Sequence, residues 1–133
     1  MAVSVPDKYR DLLERKKAFA HLATVMNDGG PQVTPVWFDF DGRHFRINTA
    51  RGRVKDRNMR RRPKVALAIM DPDNPYRHLA VRGQVVEVTE QGADTHIDSL
   101  AQKYLGKDRY PYRRAGEVRV IYKIEPEQVT GVE

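Results

Sequence analysis

The run Val33-Thr34-Pro35-Val36-Trp37-Phe38-Asp39-Phe40-Asp41-Gly42-Arg43-His44-Phe45-Arg46-Ile47-Asn48-Thr49-Ala50 decides how this chain folds. Its first half is rich in β-branched and aromatic residues, so Gln32 to Phe40 reads as a strand. Asp41-Gly42 is a hairpin signal, because glycine tolerates the positive φ that tight turns need. Phe45 and Ile47 then alternate with His44, Arg46 and Asn48, the pattern of a returning strand from Arg43 to Thr49. Upstream, Ala18 to Met26 is mostly apolar at both odd and even positions, which predicts a strand buried on both faces. Asn27-Asp28-Gly29-Gly30 is a second turn signal. Two hairpins in succession predict an antiparallel meander.

Working outward, Asp7 to Lys17 suits a first helix, with Pro6-Asp7 as its start. Arg53 to Arg62 suits a short helix that Pro63 ends. Lys64 to Met70 and Tyr76 to Thr89 read as further strands, with Gly83 marking a bulge or bend. Glu90 to Tyr104 carries Ala93, Ile97, Leu100, Ala101 and Tyr104 on one helical face. Glu117 to Ile124 is a sixth strand, closed by Glu125-Pro126, and Val129 to Val132 adds an edge piece. Six antiparallel strands with a few short helices predict a mainly β fold, a small barrel decorated by helices. Two modest helices cannot cover such a barrel, so a homodimer that buries part of the sheet is expected.

The chain has 133 residues, so residues 1–133 are expected to form one domain. No cysteine is present, which excludes disulfides, thiolate metal sites and a cysteine nucleophile. No apolar run reaches the ~18 residues of a membrane span. The N-terminus lacks the pattern of a secretory signal. A soluble cytoplasmic protein without a membrane partner is expected.

The net charge is +6, but its location matters more than its sum. Between Arg51 and Lys64, eight cations face only Asp56, which gives +7 there and leaves the rest of the chain at −1. A protein that binds nucleic acid would be expected to carry a recognisable module and a broader basic surface. Neither is present, so no nucleic-acid partner is expected. The segment instead joins a strand end, Asn48-Thr49-Ala50, to a helix start. Free helix N–H groups favour an anion there, and Gly52 allows close backbone approach. Arg53, Lys55 and Arg57 lie at that start, with the Thr49 hydroxyl beside them. Together they suit a phosphate.

Other chemistry finds little support. The four histidines, His21, His44, His78 and His96, lack metal-ligand spacing, so no metal site is expected. His21 reads as a core or interface residue. His96 reads as exposed on the polar side of its helix. His78, beside a Pro-rich loop, is the best site candidate of the four. Neither serine, Ser4 or Ser99, sits in a nucleophile elbow. Carboxylates form no acid–base pair. No catalytic side chain can be assigned, and a phosphate cradle without one leaves the chemistry to a cofactor. The string Pro35 to Phe38 can wall a flat ring, though alternation puts only Pro35 and Trp37, or Val36 and Phe38, on one surface.

These residues carry a resemblance. Val33 to Phe38, the Asp41-Gly42 hairpin, Asn48 to Met59 and Pro63 to Leu67 resemble the pyridoxamine 5′-phosphate oxidase-like superfamily. The nearest branch is that of small enzymes that use the deazaflavin F420. The resemblance covers about Ala18 to Val129. It implies a six-stranded split β-barrel that works as a homodimer, with its flavin or deazaflavin at the dimer interface. It implies ring contacts from Thr34, Pro35, Val36 and Trp37. It implies phosphate contacts from Asn48, Thr49, Arg53 and Lys55, with Ala50 and Arg57 adjoining. A polar contact at the start of the fifth strand falls near His78. The second subunit is expected to contribute from the loop around Tyr104 to Arg114. The chain is much shorter than the oxidases that act on vitamin B6, so that substrate is not implied.

Family members bind F420, FMN, haem or nothing known. FMN presents one terminal phosphate, whereas F420 adds a tail of several carboxylates. A +7 segment favours the longer acidic tail. The expected function is therefore an F420-dependent oxidoreductase acting on a small unsaturated or carbonyl substrate. The alternatives are an FMN-dependent enzyme and a carrier that binds the cofactor without turnover.

Overall fold

The computed structural model describes residues 3–133. A 3-10 turn (Asp7–Tyr9) leads into α1 (Arg10–Glu14), shorter than the helix expected to Lys17. There follow β1 (Ala20–Val25), β2 (Pro31–Val36), β3 (Phe38–Phe40), β4 (Phe45–Ala50) and α2 (Val54–Arg61). The chain ends with β5 (Lys64–Asp71), β6 (Asn74–Thr89), α3 (Ala93–Leu105) and β7 (Arg119–Val132). The strands form one antiparallel sheet in the order β2-β1-β5-β6-β7-β4-β3. The fold is mainly β, a curled half-barrel of the split-barrel type.

Among the described residues, seven strands replace the expected six, because the run from Gln32 to Phe40 breaks at Trp37. Its first half pairs with β1, with Thr34 opposite Leu22. Its second half pairs with β4, with Phe38 opposite Ile47. Both predicted hairpins therefore form, but they do not join into a meander. The physical reason is visible in β2 itself. Pro31 and Pro35 have no N–H to donate, so β2 suits a sheet edge and cannot take a third strand. The second hairpin consequently lands at the opposite edge. Trp37 links the two edges of the sheet and brings them close as it curls.

Alternating inward residues fill the barrel. Ala20, Phe38, Phe45, Ile47, Ile69, Leu79, Val120, Tyr122 and Ile124 have essentially no exposed surface. β7 runs straight through Glu125-Pro126, where the sequence predicts an end. Pro126 is tolerated because the register slips there, between Arg82 and Gly83 of β6. Gly83 is needed at that slip: a Cβ would lie 2.6 Å from the Glu125 carbonyl oxygen. Tyr122 reaches out of β7 to α2, donating its hydroxyl proton to Asp56. That bond and buried Met59 seat α2 over the end of β4.

The outer face of β1, β2, β5 and β6 carries small apolar side chains: Ala23, Val33, Ala66, Ala68 and Ala80, with His21 among them. Among the described residues, no helix is long and apolar enough to cross a membrane.

Candidate functional site

β4 ends in Asn48-Thr49-Ala50, and the chain turns through Gly52 into α2. Gly52 has φ 91°, a left-handed conformation that a side chain would strain. Its N–H donates to Asp56 Oδ2 at 2.9 Å, which ties the turn to the helix. Arg53 caps α2 with extended backbone, and no side chain caps the first turn. The free N–H groups of that turn favour an anion.

An open cleft of about 240 Å³ lies beside this turn. Phe19, Pro35, Val36 and Trp37 form one wall. Asn48, Thr49, Arg53 and Lys55 line the β4–α2 end, and Ile97, Tyr110, Tyr112 and Arg119 the other side. The aromatic wall is fixed from behind. Trp37 stacks on Tyr104, with centroids 5.2 Å apart and planes 6° from parallel. The Tyr104 hydroxyl donates to the Ala18 carbonyl at 2.7 Å and accepts the Phe38 N–H at 3.3 Å. Burial pushes that phenol above its ordinary pKa, so it stays protonated and holds the break at Trp37 in place.

The cleft is crowded with positive charge. Burial pushes the Lys55 ammonium below its ordinary pKa, and the Arg53 and Arg119 guanidiniums push the same way. Among the described residues, Glu117 is the one carboxylate paired here, at 3.1 Å from Arg119 and 3.5 Å from Arg53. Arg119 is itself buried at 4% exposure, donates to Asn48 Oδ1 at 2.8 Å, and lies over the Tyr110 ring. Thr49 is 1% exposed, and its Oγ1 is the one buried side-chain polar atom without a partner among the described residues. Such an orphan ordinarily costs ~1–3 kcal/mol. A phosphate oxygen would satisfy it and relieve the crowding of cations at once. The arrangement can hold an anion at the mouth of α2 with a flat apolar group against Pro35 and Trp37.

Residues 5–133 match the family described as pyridoxamine 5′-phosphate oxidase. The chain belongs to this family. Among solved structures it is similar to an F420 reductase, at 38% identity over 95% of this chain and 98% of that one, with a TM-score of 0.83. It also shares its fold with a conserved hypothetical protein from Mycobacterium tuberculosis, at 22% identity over 99% and 86% of the two chains (TM-score 0.76). HupZ from Group A Streptococcus is similar in the same way, at 21% identity over 96% and 93% of the two chains (TM-score 0.69). The pyridoxamine 5′-phosphate oxidase family is an oxidoreductase family of flavin and deazaflavin type, which places this chain in that broad class.

Within this oxidase fold, the structure sorts the residues that the sequence singles out. Pro35, Val36, Trp37, Asn48, Thr49, Arg53 and Lys55 converge on the cleft. Thr34 does not; it is half-buried opposite Leu22. Ala50 is buried in the turn, its carbonyl accepting the Arg53 N–H at 3.3 Å. Arg57 is exposed on the flank of α2, in a groove with Met26, Asn27 and Arg61. His78 stands between Met70 and Val132 in the sheet, away from the cleft of its own chain. The expectation of an exposed His96 is corrected. It is 5% exposed, because α3 turns it toward β3 and β4, where Asp39 and Asn48 bond both ring nitrogens. The loop after α3 already lines the cleft of its own chain through Tyr110 and Tyr112.

Sequence reasoning missed Arg119. Its signal was a lone cation in the otherwise apolar run Val118 to Ile121, where burial demands partners. Phe19 was missed as a wall residue because it reads as part of a buried strand, yet it is 45% exposed.

Proposed function

We propose that this chain is an oxidoreductase that binds F420 noncovalently in the cleft and uses it to reduce a small unsaturated or carbonyl compound. The observation that carries the reading is the orphaned Thr49 hydroxyl beside Arg53, Lys55 and Arg119. Its chemistry suits a phosphate. Lys55 and Arg53 would hold that phosphate, the first turn of α2 would add N–H donors, and Pro35 and Trp37 would flank the ring. When bound in reduced form, F420 supplies a hydride. The chain's own work is to fix the ring against one wall. The similar F420 reductase supports the choice of cofactor. So do Arg57 and Arg61, which line a groove along the flank of α2. A terminal phosphate alone has no use for them, whereas a carboxylate tail does.

We further propose that the working form is a homodimer. The alanine-rich outer face of β1, β5 and β6 runs to the cleft, since His21 on that face pairs with wall residue Pro35. A second copy seated there would cover the face and close the cleft, leaving room for His78 of one copy to approach the site of the other.

Titration with F420 and with FMN, followed by ring fluorescence, tests the first reading. Saturable binding of F420 in preference to FMN is expected. Binding of neither overturns it, and preference for FMN moves it to the flavin. Turnover of reduced F420 with a panel of quinones and enones separates an enzyme from a carrier. Light scattering tests the dimer: a monomeric mass at micromolar concentration overturns it.

A further inference from the structure

A chain of hydrogen bonds runs from the barrel wall to the cleft. Arg46 donates twice to Asp39, at 2.7 and 2.8 Å. His96 Nε2 lies 3.1 Å from Asp39 Oδ2, and His96 Nδ1 lies 3.0 Å from Asn48 Nδ2. Asn48 Nδ2 also donates to the Ala93 carbonyl at 2.9 Å. Asn48 Oδ1 accepts from Arg119 Nε at 2.8 Å.

Donor and acceptor rules leave this chain one arrangement. Arg119 has only donors, so the oxygen of Asn48 must face it. The Ala93 carbonyl only accepts, so the nitrogen of Asn48 must face that. The second N–H of the same amide then points at His96 Nδ1, which must be the bare nitrogen. The proton of His96 therefore sits on Nε2 and is donated to Asp39. Asp39 suits this role as an ionised acceptor. Burial opposes its charge, but the hydrogen bonds from His96 and Arg46 prevail and hold its carboxyl below the usual range. Moving the His96 proton to Nδ1 would set N–H against N–H. Flipping Asn48 to escape would set its nitrogen against Arg119 and its oxygen against the Ala93 carbonyl.

We propose that His96 is a positioning residue for the cleft: locked as the Nε2–H tautomer by Asp39, it holds the Asn48 amide in the one orientation that docks Arg119. Asn48 is thus no free phosphate ligand, since Arg119, Ala93 and His96 occupy its side chain. Its task is to carry order from α3 to the guanidinium in the cleft. The effect on cofactor rests on the reading of the cleft given above, whereas the tautomer lock does not.

Two measurements test this separately. The first is a long-range proton–nitrogen correlation spectrum of the imidazoles in the labelled wild-type protein. A single tautomer with a bare Nδ1 is expected for His96, and an Nδ1–H form or the averaged signal of a free imidazole overturns the lock. The second is F420 affinity by ring fluorescence in variants checked for folding by circular dichroism. His96→Leu is expected to weaken F420 by about tenfold, the worth of one charged hydrogen bond. His96→Asn, whose amide oxygen can stand near the place of Nδ1, is expected to recover most of that loss. In an Arg119→Gln background, His96→Leu should cost little more, because both act through one contact. Equal losses in the Leu and Asn variants, or losses that multiply independently, overturn the positioning role. If wild-type protein binds neither F420 nor FMN, the reading of the cleft fails and the spectrum alone decides the lock.

Discussion

Two clusters of charge in this protein are balanced in opposite ways. Around Arg77, every charge has a partner. Arg77 bonds Asp11 at 2.7 Å and Asp71 at 2.9 Å, and Lys16 bonds Asp71 at 2.8 Å and Asp73 at 3.0 Å. The carboxylates of this knot tie α1 and the chain after it to the β5–β6 turn. In the cleft, Arg53, Lys55 and Arg119 crowd together, with Glu117 as the carboxylate that the two arginines share. The first cluster is complete and works as architecture. The second is left with more cations than carboxylates, an excess that a bound anion would relieve. Composition alone shows neither, because both clusters disappear into the same net charge.

The largest expected effect breaks the complete side. The Lys16 ammonium, the Asp73 N–H and the Arg77 guanidinium hold the Asp71 carboxyl far below the usual carboxylate range. Asp71→Asn removes the charge that both cations share and should lower the melting midpoint more than any other single change discussed here. F420 affinity should stay as it was. A melt by circular dichroism checks the first part, and an unchanged midpoint would show the knot to be ornamental. The same group gives a pH dependence. A depressed folded-state pKa means stability that is complete above the unfolded value near ~3.9 and lost as pH falls below it. Wild-type protein should therefore lose stability steeply in acid, and Asp71→Asn should show a shallower loss.

Lys55→Ala attacks the incomplete side, with the opposite signature. If Lys55 makes a charged hydrogen bond to phosphate, F420 affinity should fall by ~1.5–3 kcal/mol. The melting midpoint of the cofactor-free protein should hold or rise, because a half-buried cation among cations is removed. Fluorescence titration and a melt on the same sample decide it. A falling midpoint with intact affinity would make Lys55 part of the scaffold and erase the contrast between the clusters.

Much of this was legible in the sequence. The hairpins at Asn27–Gly30 and Asp41-Gly42 are written in residues that only turns favour. The strand-to-helix cradle is written in Thr49, Gly52, Arg53 and Lys55. Three features were not legible, each for a physical reason. The break at Trp37 depends on which edge Pro35 forces β2 to occupy, a property of the whole sheet. The burial of His96 depends on which face α3 turns toward Asp39, and its helix has polar residues on both sides of that face. Arg119 reaches the cleft because β7 pairs with β4 across a long stretch of chain, with Asn48 opposite Ile121 and Ala50 opposite Arg119. Local pattern carries local chemistry. The site is closed by pairings that no local pattern contains.

The smallest expected effect is also the most specific to the comparison, since it follows one proton. Lys55 has a pKa pushed below its ordinary 10.5 by burial and by Arg53 and Arg119. An anion needs the charged form. F420 affinity should therefore weaken as pH rises through the depressed pKa, earlier than an ordinary lysine would allow. The stability of the free protein should move the other way. Its folded state disfavours the charged form, so the unfolded chain binds more protons in this window, and stability rises with pH there. Lys55→Ala should flatten both curves. In the Arg77 knot no such opposition can arise, because its cations are held charged by their partners: Lys16 titrates above its ordinary value. Parallel loss of affinity and stability with rising pH would mean that Lys55 has a hidden partner, and the cleft would then be as complete as the knot.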